Sequence, residues 1–174
     1  MFLTGVNFTL FYRLLKKDFG SIKNNEEFRF YLLTTAVAII LISINIYPRF
    51  AGSVLEALRL GAFQVVSIVT TTGFTIANFD AWPHFARALL FFLMFVGACG
   101  GSTTGALKQV RLLILFKYAY RELYRLVHPS AVSSIKLGGQ PLSEDTMRGI
   151  TGFTFLYVIL FVLSTLVLCG LGLD

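Results

Sequence analysis

Hydrophobic and polar positions in this chain come in long blocks, and the block lengths predict the elements. Phe28 to Tyr47 is almost wholly apolar and closes on Tyr47-Pro48. About 20 apolar residues make a helix that crosses a bilayer, and a terminal tyrosine suits the interface. Met1 to Tyr12 is apolar too, but a stretch of 12 residues falls short of the ~20 that a span needs. It is expected to be the inner end of a transmembrane helix whose outer part is missing, in a truncated chain. Ser53, with Glu56 three residues on, has the form of a capping box and predicts a helix start. That helix passes Arg59, turns apolar from Ala62 to Val69 and stops in Thr70-Thr71-Thr72-Gly73-Phe74. Its eight-residue apolar part rises only ~12 Å, enough to enter a bilayer and not to cross it. Thr75 to Phe85, with Asn78, Asp80, Trp82, Pro83 and His84, suits a return to the water interface.

A second long segment runs from Ala86 to Val127, interrupted by Gly97, Gly100, Gly101 and Gly105. Up to Val96 it is lipid-like. Beyond the glycines it is amphipathic, with Lys117, Arg121 and Arg125 every four residues on one helical face. His128-Pro129 ends it. Ala131 to Leu137 and Pro141-Leu142 flank Gly138-Gly139, which predicts a hairpin. Ser143 followed by Glu144 and Asp145 starts another helix, and Ile150 to Leu173 is a second full span.

Composition places this pattern in lipid. Hydrophobic residues make up 56% and charged ones 14%, against roughly 45–50% and ~25% for a soluble domain. The formal charge of +6 would also suit nucleic acid, but its distribution is topological. With the segments up to and including Arg29 and from Lys108 to Arg148 on one side, that side holds 12 of the 15 Lys and Arg. Arg49, Arg59 and Arg87 remain on the other. The basic side is then the cytoplasm, and no nucleic-acid partner is needed. Cys99 and Cys169 lie in apolar runs and form no disulfide framework or metal spacing. The first apolar stretch has Arg13, Lys16 and Lys17 after it, the reverse of a secretory signal.

The order of elements is span, half-helix, threonine-rich turn, return and span. A half-helix entering from outside aims its partly negative end at the membrane centre, where it favours a cation. A turn after it can present backbone carbonyls to a dehydrated ion, with threonine hydroxyls as further ligands. Gly73 admits conformations that a Cβ would strain. The alternative is an ordinary helix stop, with Gly73 as cap and the threonines satisfying carbonyls. Downstream, Ala86 to Ile114 is 29 residues, ~43 Å if helical. Four glycines with Ser102, Thr103 and Thr104 predict a break near the midplane that faces an aqueous path; close helix packing on glycines is the other reading. Lys108 and Arg111 either snorkel to the inner interface or face the path and repel cations.

The stretch Phe63-Gln64-Val65-Val66-Ser67-Ile68-Val69-Thr70-Thr71-Thr72-Gly73-Phe74 resembles the third pore loop of the TrkH/TrkG potassium uptake proteins of the Trk/Ktr/HKT superfamily. The similarity continues through Gly97-Ala98-Cys99-Gly100-Gly101-Ser102-Thr103-Thr104-Gly105-Ala106-Leu107-Lys108, Arg121-Glu122-Leu123, His128-Pro129 and Ile135-Lys136-Leu137. Upstream, Gly5-Val6-Asn7-Phe8 and Glu27-Phe28-Arg29-Phe30-Tyr31 also match, so nearly the whole chain is covered. The resemblance implies an all-α membrane protein built from span–pore helix–filter loop–span repeats around a pseudo-tetrameric path. Residues 1–17 would end the second repeat, 18–29 would be a cytoplasmic loop, 30–127 the third repeat, 128–146 a hairpin-like cytoplasmic loop and 147–174 the first helix of the fourth repeat.

It implies potassium as the transported ion, with no covalently bound cofactor. The ion would be held by a filter of Thr70, Thr71, Thr72, Gly73 and Phe74, chiefly at Thr71 and Thr72. A gate loop would contain Gly97, Gly100, Gly101, Ser102, Thr103, Thr104, Gly105 and Lys108. Implied partners are the remaining repeats of the full-length chain, a second copy, a cytosolic nucleotide-binding regulatory subunit and membrane lipid. The implied location is the bacterial inner membrane, crossed several times. One filter strand of four would not conduct alone. Two other classes stand beside this one. A non-conducting scaffold would not require Gly73 and the threonines to stay intact. A membrane enzyme would need chemistry that His84 and His128, on opposite sides of the predicted topology, and Ser102 do not supply together.

Overall fold

The computed structural model describes residues 1–50, 52–128 and 134–172. Pro129, the start of the first hairpin strand at 131–133, the side chain of Arg49 and the last two residues of the final span lie outside the described residues. The chain divides into two units, Met1–Leu113 and Ile114–Asp174.

The first unit opens differently from the single helix end expected over 1–17. Phe2–Gly5 is one 3-10 turn, and a new helix, α1 (Phe8–Leu15), begins after Asn7. Asn7 breaks the run because its side chain accepts the Thr9 N–H at 2.8 Å and so caps a fresh start. After the short α2 (Phe19–Lys23), α3 (Glu26–Phe50) begins where Asn25 accepts the Phe28 N–H at 2.8 Å. Glu26 and Glu27 lie in its first turn, where the helix dipole favours negative charge. The helix runs past Tyr47 and contains Pro48 in its last turn; that residue has no N–H to return to the preceding turn, and the helix soon ends.

One stripe of α3, made by Tyr31, Thr35, Ala38, Ile42 and Ile46, is buried, while Leu33, Val37, Ile40 and Ile44 are exposed. The spacing of three and four puts each set on its own face. Packed on the buried stripe is α4 (Val54–Val69), which starts as the sequence predicts. Ser53 accepts the Glu56 N–H at 3.2 Å, and Glu56 reaches back to the Gly52 N–H at 3.0 Å. The approach is close: a Cβ on Gly61 would stand 2.7 Å from the Ser43 hydroxyl, which itself donates to the Ala57 carbonyl at 3.3 Å. Small residues that bring helix backbones together are typical of helices in lipid. A 3-10 turn at Phe79–Ala81 leads to α5 (His84–Phe95), whose Ala86, Leu90 and Leu93 face the same core. The helix stops there, and α6 (Gln109–Val127) starts only after an irregular stretch. The predicted break of the second long segment is therefore the connection between α5 and α6.

The second unit takes the rest of α6, a two-residue-strand hairpin and α7 (Glu144–Gly170). In the hairpin, β1 (Lys136–Leu137) pairs antiparallel with β2 (Gln140–Pro141), and Gly138 and Gly139 both hold positive φ, +57° and +82°. Two successive left-handed residues are what a tight hairpin turn with the twist of its strands demands. α7 is capped by Ser143, which accepts the Thr146 N–H at 3.2 Å. It is apolar along most of its 27 residues, and Met147 is its one buried residue. By length and apolarity, Glu26–Pro48 and Glu144–Gly170 can each cross a membrane, and His84–Phe95 is apolar but shorter. A helix apolar on every face and left uncovered is at home in hydrocarbon and not in water.

Candidate filter turn and intramembrane loop

The helix α4 ends because its backbone folds back on itself. The N–H groups of Thr70, Thr71, Thr72 and Gly73 donate to Val66, Ile68, Ser67 and again Ser67, at 2.9, 2.9, 2.9 and 3.5 Å. Thr71 and Gly73 hold left-handed φ values of +51° and +78°. Turning every N–H inward leaves the carbonyls of Thr70, Thr71, Thr72 and Gly73 with no hydrogen-bond donor among the described residues. The next carbonyl is different: the Ser67 hydroxyl donates to Phe74 at 2.6 Å. The row of unpaired carbonyls is thus four long and stops before Phe74, whose side chain is 65% exposed. A Cβ on Gly73 would meet nothing within 4 Å, so the glycine is there for its φ and not for space.

The threonine hydroxyls have partners within the fold. Thr70 is buried, its hydroxyl donating to Val66 at 2.7 Å and lying 2.7 Å from that of Thr72. The Thr71 hydroxyl accepts the Gly105 N–H at 3.0 Å. That single bond joins the turn to the stretch between α5 and α6, so the two clusters picked out in the sequence meet in space.

This loop crosses over itself. Val96 and Leu107 form a parallel bridge, the Gly97 N–H donates to Leu107 at 2.8 Å, and the Gln109 N–H donates to Ala98 at 3.0 Å. Gly97 has no room for a side chain, since a Cβ would lie 2.3 Å from the Gly105 carbonyl oxygen. Gly101 turns with φ +70° against the side chain of Asn7. The N-terminal piece holds the loop as well: Cys99 N–H donates to Gly5 at 3.0 Å, and Phe8 N–H donates to Gly101 at 3.2 Å. Ser102 is tied to Cys99 through its hydroxyl at 2.5 Å and lies 2.8 Å from the Thr104 hydroxyl. Thr103 is exposed. Lys108 turns to the backbone of its own loop. Its ammonium donates to the carbonyl of Ser102 at 3.1 Å and to that of Thr104.

Sequence reading gave no role to Gly5, Asn7 or Glu27. Glu27 accepts the Gly100 N–H, across 73 residues of chain. The one available signal was a pair of carboxylates at the start of an apolar block, which a helix N-terminus explains equally well. In the second unit the basic stripe is partly spent internally. Arg121 is 6% exposed and bonds Glu122 and Glu144, both at 3.1 Å, while the Lys117 ammonium donates to Lys136 at 2.8 Å.

The family model described as TrkH, cation transport protein, matches residues 1–173. The Trk system potassium uptake protein TrkH of Salmonella typhimurium is 38% identical over the whole chain, and TrkG of Escherichia coli is 33% identical over 99% of it. The chain spans about a third of the length of these relatives, 36% in each case. The crystal structure of the potassium transporter TrkH from Vibrio parahaemolyticus superposes with a TM-score of 0.89 at 35% identity, covering 99% of this chain and 38% of that one. The all-α architecture is thus that of a membrane transporter, and the relatives are transport proteins, not enzymes. With matched sequence along its length and a matched fold, the chain belongs to the TrkH family of cation transport proteins.

Proposed function

We propose that this chain supplies one filter strand and the intramembrane gate of a potassium-conducting membrane protein. The observation that carries the reading is the row of four unpaired carbonyls at Thr70–Gly73, at the C-terminal end of a helix whose apolar part is too short to cross a bilayer. Unpaired carbonyls at such depth are costly unless they face water or an ion. A dehydrated potassium ion recovers oxygen ligands there, and the helix end adds negative potential. Below the turn, residues 97–106 obstruct the path and must move for an ion to pass. The potassium named for the relatives supports the choice of ion.

In this reading residues 30–127 are one repeat, 147–174 begin the next, and the other filter strands come from the rest of a longer chain. The basic side faces the cytoplasm of a bacterium whose inner membrane the protein crosses several times. A second copy and a cytosolic nucleotide-binding subunit complete the assembly. The test is rubidium uptake into vesicles holding the full-length protein, comparing wild type with Gly73→Asp. Uptake that potassium competes and the variant loses supports a filter here. Equal uptake at matched expression sinks it and leaves α4 as a capped packing helix.

A further inference from the structure

The loop is gripped by a residue that belongs to neither the turn nor the loop. Glu27, half-buried in the first turn of α3, accepts the Gly100 N–H. The Val110 N–H, at the open start of α6, also faces its carboxylate. The seat is tight: a Cβ on Gly100 would meet Glu27 Oε1 at 3.3 Å and Val110 Cγ1 at 3.4 Å. The other half of the loop is held by the opposite charge. Lys108 takes the carbonyls of Ser102 and Thr104, with the Thr104 hydroxyl at 3.4 Å. One backbone donor of the first half, at Gly100, thus ends on an anion, and two backbone acceptors further along, at Ser102 and Thr104, end on a cation.

Both contacts are charge-assisted, the strong kind of hydrogen bond. Both also satisfy irregular backbone where water is scarce. Cutting one leaves its peptide groups unpaired and the other charge without its counterpart. The loop's far end is also tied by bonds between neutral groups, from the Gly105 N–H to the Thr71 hydroxyl at 3.0 Å and from the Leu107 N–H to Phe95 at 3.1 Å.

We propose that Glu27 is a positioning residue for the gate: with Lys108 it clamps residues 97–107 in the obstructing form, and the loop opens only when the Glu27–Gly100 contact breaks. This deepens, and rests on, the reading of the loop as an obstruction beneath a filter. Glu27 touches no member of the carbonyl row, so its loss changes how often the loop stands aside and not which ion is accepted.

The test uses full-length protein in proteoliposomes as wild type, Glu27→Ala and Glu27→Gln. Two quantities are read: rubidium uptake with potassium or sodium as competitor, and the rate at which maleimide labels Cys99 with every other cysteine replaced. Cys99 is fully buried beside Gly100 and reports loop opening without transport. Glu27→Ala is expected to raise both by about tenfold or more, the low end for a hydrogen bond to a charged group. Glu27→Gln keeps an acceptor without the charge and is expected to raise both by less. Potassium should remain the better competitor throughout. Unchanged labelling in Glu27→Ala overturns the proposal. So does higher uptake with the potassium preference lost, which would mean a distorted filter. If Glu27→Ala does not fold, labelling of Glu27→Gln at the wild-type rate overturns it equally. If wild type takes up no rubidium, the functional reading fails, while Cys99 labelling still decides the clamp.

Discussion

The sharpest structural prediction concerns Gly97, where one methyl group meets backbone on two sides. A Cβ there stands 2.3 Å from the Gly105 carbonyl oxygen and 3.1 Å from that of Leu107. Carbon and carbonyl oxygen settle at roughly 3.3–3.6 Å, so the strands must part by about 1 Å. That movement breaks the 2.8 Å bond from Gly97 N–H to Leu107. Overpacking costs about 1–3 kcal/mol and the lost hydrogen bond about 1, so Gly97→Ala destabilises the closed loop by about 2–4 kcal/mol. At 1.4 kcal/mol per decade this is roughly a 30- to 700-fold larger population of open loop. Cys99, buried two residues away, reports it: with opening fast relative to labelling, its maleimide rate follows that population. Gly105→Ala is the control. Its Cβ would meet only Thr71 atoms, at 3.8 Å, an ordinary contact, and its φ is not left-handed. A surface-like change of this kind alters the rate by no more than about threefold. Labelling of Gly97→Ala at the wild-type rate, or an equal rise in both variants, refutes the steric reasoning.

Two further outcomes follow from single hydrogen bonds. Thr71→Val keeps the β-branched shape and removes the acceptor of the Gly105 N–H; amide exchange at Gly105 should rise about fivefold, for a net bond of ~1 kcal/mol. Exchange at the wild-type rate would show that the turn and loop are not joined there. Ser53→Ala removes the cap of α4 and should cost about 1 kcal/mol. Hydrogen exchange should quicken at Glu56 and stay unchanged at Ser67, in the last turn; uniform protection along the helix would refute the cap's role.

The clusters that matter are far apart in sequence, and their physics differs in how visible it is there. Spans, the half-length of α4 and the break between α5 and α6 follow from apolar run length against bilayer thickness, which is a property of the chain read in order. The Ser53 and Ser143 caps and the Gly138-Gly139 turn are local too, since each satisfies backbone within a few residues. Even Gly73 is local, because a left-handed φ is a property of one residue. Asn7 was a local signal left unread: it starts a helix inside what looks like one apolar run.

Hydrogen-bond partners across the fold were not legible. Whether a threonine hydroxyl faces an ion or its own helix depends on one rotamer, and Thr70 turns to Val66 while Thr71 turns to Gly105. The bonds of Lys108 to the carbonyls of its own loop were likewise not readable from spacing. The amino-acid sequence alone determined where this protein meets lipid and where its helices must stop, because those depend on lengths and on single residues. Tertiary structure alone decided that Glu27, 73 residues away, would meet the Gly100 N–H, because unpaired backbone at depth takes whichever charged group the packing of helices brings within reach.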